Sequence, residues 1–266
     1  MSDASADRPA PAEGAPVDAI VVVAMEDEAQ PFLVRASSVG EPFRWGRALH
    51  RHLVVDGARI HLVRSGVGLV NAAVATTEAL LASAPQPPRS EGEEAPRRSA
   101  PLVVSAGSAG GVGEDVRVGE VVVGSTYVNI DADAEVFGYV LGQVPGMPPF
   151  YEGDAAALGA APTTGTTAAG VSFDVRHGLA VSSYAFMQGG KLPWVRETFP
   201  GVLATDMESF AIAQACFLQG VPFVAVRGIS DLADPTAAAD HLTHVDDAAD
   251  RSAAVVLALV AARRSS

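Results

Sequence analysis

Six short apolar runs, rich in β-branched residues, constrain this chain more than anything else in it. They cover 18–25 (DAIVVVAM), 60–64 (IHLVR), 101–106 (PLVVSA), 120–124 (EVVVG), 178–182 (GLAVS) and 222–227 (PFVAVR). Their apolar residues are consecutive rather than alternating. That pattern suits strands buried on both faces, as in parallel sheets. Helical stretches fall between and after them. One spans 70–81, a second spans 206–220 with Met207, Phe210, Ala211 and Leu218 near one face and Gly220 as its stop, and a third spans 245–263. Strands alternating with helices predict an α/β fold: a single-domain three-layer sandwich around a central twisted, mostly parallel mixed sheet. The 266 residues, 48% of them apolar, can supply one large core without a disulfide or metal staple.

Several function classes drop out on composition. The net charge of −13 disfavours non-specific nucleic-acid binding, because phosphates are repelled on average. The longest apolar run, 253–262, is about half the roughly twenty residues a membrane span needs. The acidic N-terminus lacks the apolar segment of a signal peptide, so a cytoplasmic location is expected. The one cysteine, Cys216, sits in an apolar stretch and reads as a core residue. No Cys/His ligand cluster exists, so no metal is expected; His241 and His244 form a pair without further ligands and are placed in a loop. No cofactor is expected either, since no Gly-x-Gly-x-x-Gly follows a strand with the acidic partner of a dinucleotide site. Residues 1–17 read as a disordered tail, 18–266 as the folded domain, 86–99 as a surface loop inserted in it, and 153–170 as a stretch poor in helix formers.

In sheets of this kind ligands bind beyond the carboxyl ends of the strands. There the chain carries Glu26-Asp27-Glu28, the glycine loop 107–111 (GSAGG), Phe186 and Met187, Asp206 and Glu208, and Ser230-Asp231. Each has a plain structural reading: Asp231 as a helix cap, Glu208 as a favourable charge at a helix N-terminus, Glu28 as part of a solvated acidic start to a helix, the glycines as a tight turn, and Phe186 and Met187 as core. Their common position at one sheet edge is the stronger signal.

At these residues the chain resembles the 5′-methylthioadenosine/S-adenosylhomocysteine nucleosidases of the purine nucleoside phosphorylase superfamily. The resemblance rests on 24–28 (AMEDE), 65–68 (SGVG), 107–111, Asp131 and Asp133, 137–139 (FGY), 142–146 (GQVPG), 185–186 (AF), 206–208 (DME) and 227–234 (RGISDLAD), in family order across roughly 18–262. It implies hydrolysis of the N-glycosidic bond of 5′-modified adenine nucleosides. Glu28 resembles the carboxylate that activates water, and Asp231, held by Ser230, the acid that protonates the purine at nitrogen 7. Glu208 resembles the clamp on the ribose hydroxyls, with Met207 under the sugar, Phe186 stacked on the base, the backbone of Met187 at the base edge, and Ser108 near the sugar and water. Met25 and Val67 join the substrate-binding set. A neighbouring subunit closing the 5′ pocket maps onto Phe137 and Pro145, which implies a homodimer.

The chemistry suits these residue types. An ordinary Asp holds a proton in only about one molecule in a thousand at pH 7, so a catalytic acid costs about 4 kcal/mol unless burial raises its pKa. Asp231 is therefore predicted to be buried, apolar-walled and hydrogen-bonded. Phosphorolytic relatives hold phosphate with arginines after the first strand and before the glycine-serine loop. Here those places read Glu26-Asp27-Glu28 and 105–108 (SAGS), so water is the expected nucleophile. The chain departs from the nucleosidases at Ser183-Tyr184, usually Gly-Asp, and at Ile130, usually His. Those departures leave a futalosine or aminofutalosine hydrolase open, beside a phosphorolytic relative and a nucleoside-binding protein without catalysis.

Overall fold

The computed structural model describes residues 17–83, 100–167 and 169–265. Nearly all of the expected N-terminal tail, and the whole 86–99 insertion, lie outside the described residues. In chain order the elements are β1 (Ala19–Val23), α1 (Glu26–Arg35), β2 (Ser38–Val39), β3 (Phe43–Trp45), β4 (Ala48–Val55), β5 (Ala58–Arg64), α2 (Leu69–Ser83), β6 (Leu102–Gly111) and β7 (Val121–Asn129). They continue with β8 (Tyr151–Glu152), α3 (Ala155–Ala160), β9 (Thr164–Thr166), β10 (Ser172–Ser182), α4 (Leu192–Thr198), β11 (Val202–Asp206), α5 (Ser209–Gln219), β12 (Phe223–Asp231) and α6 (Ala237–Arg264).

The strands join in one mixed sheet of order β11-β10-β7-β12-β6-β1-β5-β4-β2. Its centre is parallel: β6 pairs with β1 and β12, and β1 with β5, all in parallel register. Helices cover both faces, and β1 shows why its run is continuously apolar. Ala19, Val21 and Val23 pack into the core containing Phe32 of α1 and Leu259 of α6. Ile20 and Val22 point the other way, into the core with Ala72 of α2 and Ile212 of α5. Each of the valine, isoleucine, leucine and phenylalanine side chains among them, fully buried, contributes about 1.5–3 kcal/mol.

Several local expectations need correction. The stretch 107–111 is not a loop but the end of β6, where Gly110 and Gly111 pair antiparallel with Thr205 and Ala204. That pairing curls the sheet until β11, β10, β7, β12 and β6 close on one another. The helix expected from 206 starts at Ser209, because Asp206 ends the unanticipated strand β11 and its carboxylate accepts the Glu208 and Ser209 N–H groups. Gly220 does stop α5, in the left-handed region at φ 64°. The last helix begins eight residues earlier than expected, at Ala237, so His241 and His244 lie on α6 rather than in a loop. The 153–170 stretch contains the short helix α3, capped by Asp154, and the strand β9. Cys216 is buried in the core, and burial pushes its thiol pKa up, away from nucleophilic use.

Candidate active site

Three carboxylates far apart in sequence line one cavity of about 190 Å³, together with Asp206, whose carboxylate is tied to Arg227. Glu28 comes from the first turn of α1, Glu208 from the turn between β11 and α5, and Asp231 from the end of β12. All three are buried, with 2%, 5% and 1% of their surface exposed. Met25, Val67, Ser108, Phe186, Met187 and Met207 line the same cavity. Ser230 lies behind the wall and donates to Asp231. Phe137 and Pro145 do not line it; Phe137 is 79% exposed on a short helical turn, 135–137.

Glu28 is not the solvated carboxylate its acidic neighbours suggest. Its Oε2 accepts the N–H groups of Ala24 (2.8 Å) and Met25 (3.1 Å), and its Oε1 accepts the Ser108 N–H (2.8 Å) and hydroxyl (3.1 Å). Four donors from two elements fix its orientation. Gly107 makes the approach possible: it holds φ at +135°, and a Cβ there would sit 2.3 Å from Glu28 Oε1. Glu26, by contrast, points outward and pairs with Arg64.

Glu208 rests on a buried ionic network that sequence reasoning missed. Arg227 of β12 is almost fully buried, with Nε 3.0 Å from Asp206 Oδ2 and Nη2 3.4 Å from Glu208 Oε2. Its guanidinium also donates to Ser105 Oγ (2.6 Å) and to Ser209 Oγ (3.2 Å). Glu208 Oε1 accepts the Gly68 N–H at 2.8 Å. Burial pushes the Glu208 carboxyl above the ordinary range, Arg227 pulls it down, and Asp206 and Glu28 push it up again. The one hint in sequence was an arginine closing an otherwise apolar run, whose charge inside a sheet needs buried acids.

Asp231 meets the requirement for an acid. Burial raises its pKa above the ordinary carboxyl value, against the opposing pull of the Ala233 N–H (3.0 Å to Oδ1) and the Ser230 hydroxyl (2.9 Å to Oδ2). A further cavity residue was also missed. His241, on the first turns of α6, lies edge-on to Phe186 with ring centres 5.7 Å apart. The signal was present only as a histidine three residues from another, and its helix was expected to begin beyond it. No arginine or lysine lines the cavity among the described residues, and none of their His, Cys, Asp and Glu side chains group as a metal site.

Comparison with known proteins identifies the family. The family model of the Phosphorylase superfamily matches residues 18–261. The 5′-methylthioadenosine/S-adenosylhomocysteine nucleosidase of Anoxybacillus flavithermus is 38% identical over 180 residues, 67% of this chain and 70% of that protein. The enzyme of the same name from Geobacillus kaustophilus is 33% identical over 243 residues, 91% of this chain and 96% of that protein. Among solved structures, the Neisseria meningitidis nucleosidase in complex with methylthio-immucillin-A superposes with a TM-score of 0.76 at 32% identity, covering 93% of this chain and 100% of that one. The chain belongs to the phosphorylase superfamily and, within it, to the 5′-methylthioadenosine/S-adenosylhomocysteine nucleosidases.

Proposed function

We propose that the protein hydrolyses the N-glycosidic bond of 5′-methylthioadenosine and S-adenosylhomocysteine, releasing adenine and the free thioribose. The observation that carries the reading is the convergence of Glu28, Glu208 and Asp231 on one cavity. Cleavage of this bond builds positive charge on the ribose and negative charge on the departing purine. Glu28 takes the proton of an attacking water held near Ser108. Asp231, whose pKa burial raises, donates to purine nitrogen 7. Glu208 accepts from the ribose hydroxyls, with Met207 beneath the sugar. Phe186 stacks on the base, the Met187 backbone meets its edge, and Met25 and Val67 complete the wall.

Water is the nucleophile in this reading, because the carboxylate of Glu28 faces the cavity and no arginine or lysine lines it among the described residues. A phosphate dianion there would be repelled and unheld. The protein acts as a homodimer in which Phe137 and Pro145 close the neighbouring subunit's 5′ pocket. That assignment accounts for an exposed apolar group of Val136, Phe137 and Val140. It acts in the cytoplasm, and no described helix is long and apolar enough to cross a membrane.

The test is product analysis in phosphate-free buffer, with methylthioadenosine, adenosylhomocysteine, 5′-deoxyadenosine, aminofutalosine, futalosine and inosine as substrates. Free adenine with free sugar from the first two is expected. Strict dependence on phosphate, or turnover confined to the futalosines, overturns the reading.

A further inference from the structure

The proposed hydrolysis leaves a proton imbalance inside the protein. In one turnover the C1′–N9 bond breaks with its electron pair going to the purine, and a C1′–O bond forms to water. Asp231 gives a proton to nitrogen 7, and Glu28 takes one from the water. The purine leaves carrying its proton. Glu28 then holds one proton too many, which it returns to water re-entering the cavity it lines, and Asp231 one too few. Both side chains are buried. Asp231 needs a route by which a solvent proton reaches it before the next turnover.

We propose that His241 and Ser230 form that route, a relay that reprotonates Asp231 from solvent. His241 Nδ1 lies 3.1 Å from Ser230 Oγ, and Ser230 Oγ lies 2.9 Å from Asp231 Oδ2. The direct separation of His241 Nδ1 from Asp231 Oδ2 is 4.0 Å, too long for a hydrogen bond, so the path runs through the hydroxyl. Ser230 is fully buried, whereas the His241 side chain is 21% exposed. One end of the chain therefore meets water and the other meets the acid. The alternative acceptor for the hydroxyl, Ala109 O, is 3.4 Å away and makes the weaker contact. Phe186 packs edge-on against the imidazole and restrains its ring plane.

The transfer balances. A solvent proton binds Nε2 of His241; the Nδ1 proton passes to Ser230 Oγ as the hydroxyl's own proton passes to Asp231 Oδ2. A neutral imidazole remains, and its tautomer resets by exchange with water. Imidazole is the side chain suited to taking and giving protons near neutrality. His241 acts through Ser230 and not on the reacting atoms, so it is a positioning and relay residue for Asp231.

The inference rests on the nucleosidase reading, and the test separates the two. Adenine release from methylthioadenosine is followed with the full chain, once with enzyme in excess (single turnover) and once with substrate in excess. His241→Phe removes the relay, and His241→Gln keeps a hydrogen-bonding group that cannot carry a proton. In both variants kcat is expected to fall roughly 10²-fold or more, within the usual range for a lost proton-transfer group, while the single-turnover rate falls far less. Added imidazole restores kcat of a His241→Ala variant, which leaves the space the ring needs, in a concentration-dependent manner. Equal losses in both regimes, or an unchanged kcat, overturn the relay while leaving the nucleosidase reading in place. A parent enzyme that releases no adenine even in a single turnover overturns the reading, and the relay with it.

Discussion

The sheet buries titratable groups in two places, and they behave in opposite ways. Just beyond β11 and at the end of β12 lie Glu208 and Asp231, whose pKa values burial raises. On β4 and β5, about the antiparallel hairpin, lie His50, His52 and His61, where burial drives protons off. The cause is the same: a poorly solvated site disfavours whichever form is charged. His50 Nδ1 sits 3.0 Å from His61 Nε2, and His61 Nδ1 sits 3.2 Å from Ser83 Oγ of α2. Phe43 and Trp45 close over the cluster, with Phe43 stacked on His50 at 5.1 Å. His50 Nε2 and Glu78 Oε2, 4.0 Å apart, have no hydrogen-bond partner among the described residues. The acid site, by contrast, gives each carboxylate donors and a shared cavity. Burial of a titratable group is thus not by itself a mark of function; donors that orient it and space for a reactant are.

The largest test of that contrast removes the proton carriers on the acid side. Asp231→Asn and Glu28→Gln should each lower kcat about 10²–10⁴-fold, measured as adenine release, with the fold retained by circular dichroism. The His50→Leu/His61→Leu double variant should leave kcat within about twofold; a comparable loss there would erase the distinction. Next in size, Arg227→Met should destabilise the protein by about 3–5 kcal/mol in urea unfolding, because it strands the buried carboxylates of Asp206 and Glu208.

The two regions should also respond to acid in opposite senses. His50 falls from 6.5 to about 4 on folding, so below pH 6.5 the unfolded chain binds more protons than the folded one. Stability present above pH 6.5 is then lost as pH falls toward 4, by up to roughly 3 kcal/mol from this residue. The double Leu variant should flatten that stretch of the stability profile. Asp231, raised by burial, must carry its proton to act, so kcat/KM should decline as pH climbs above its pKa, the reverse slope. The smallest effect expected is that of Glu208→Gln. It keeps the shape of the clamp but weakens its hydrogen bonds to ribose, raising KM roughly tenfold with a lesser change in kcat.

Much of the fold was legible because it follows from local chemistry. A run such as 19–23 must be covered on both faces, and α1 with α6 and α2 with α5 supply the covers. The apolar runs put Glu28 and Asp231 just past strand ends, and Glu208 in the first turn of a helix. The strand β11 was not legible: five residues ending in Thr-Asp carry too little periodicity, and Asp206 reads equally well as a helix cap. The partners of Arg227 were hidden for another reason. They lie on β6, at the end of β11, in the turn after it and on α5, and only the curl of the sheet assembles them.

The sequence alone determined residue types and their periods: parallel-type strands, helices between them, and three acids in family order. Only the tertiary structure decided that Ser108 reaches Glu28 across 80 residues and Gly68 reaches Glu208 across 140. It also decided that His241 stands beside Ser230 on a helix begun early. The physical reason is that charge and proton affinity are set by burial and by donors in space, and neither is a property of a residue's neighbours along the chain.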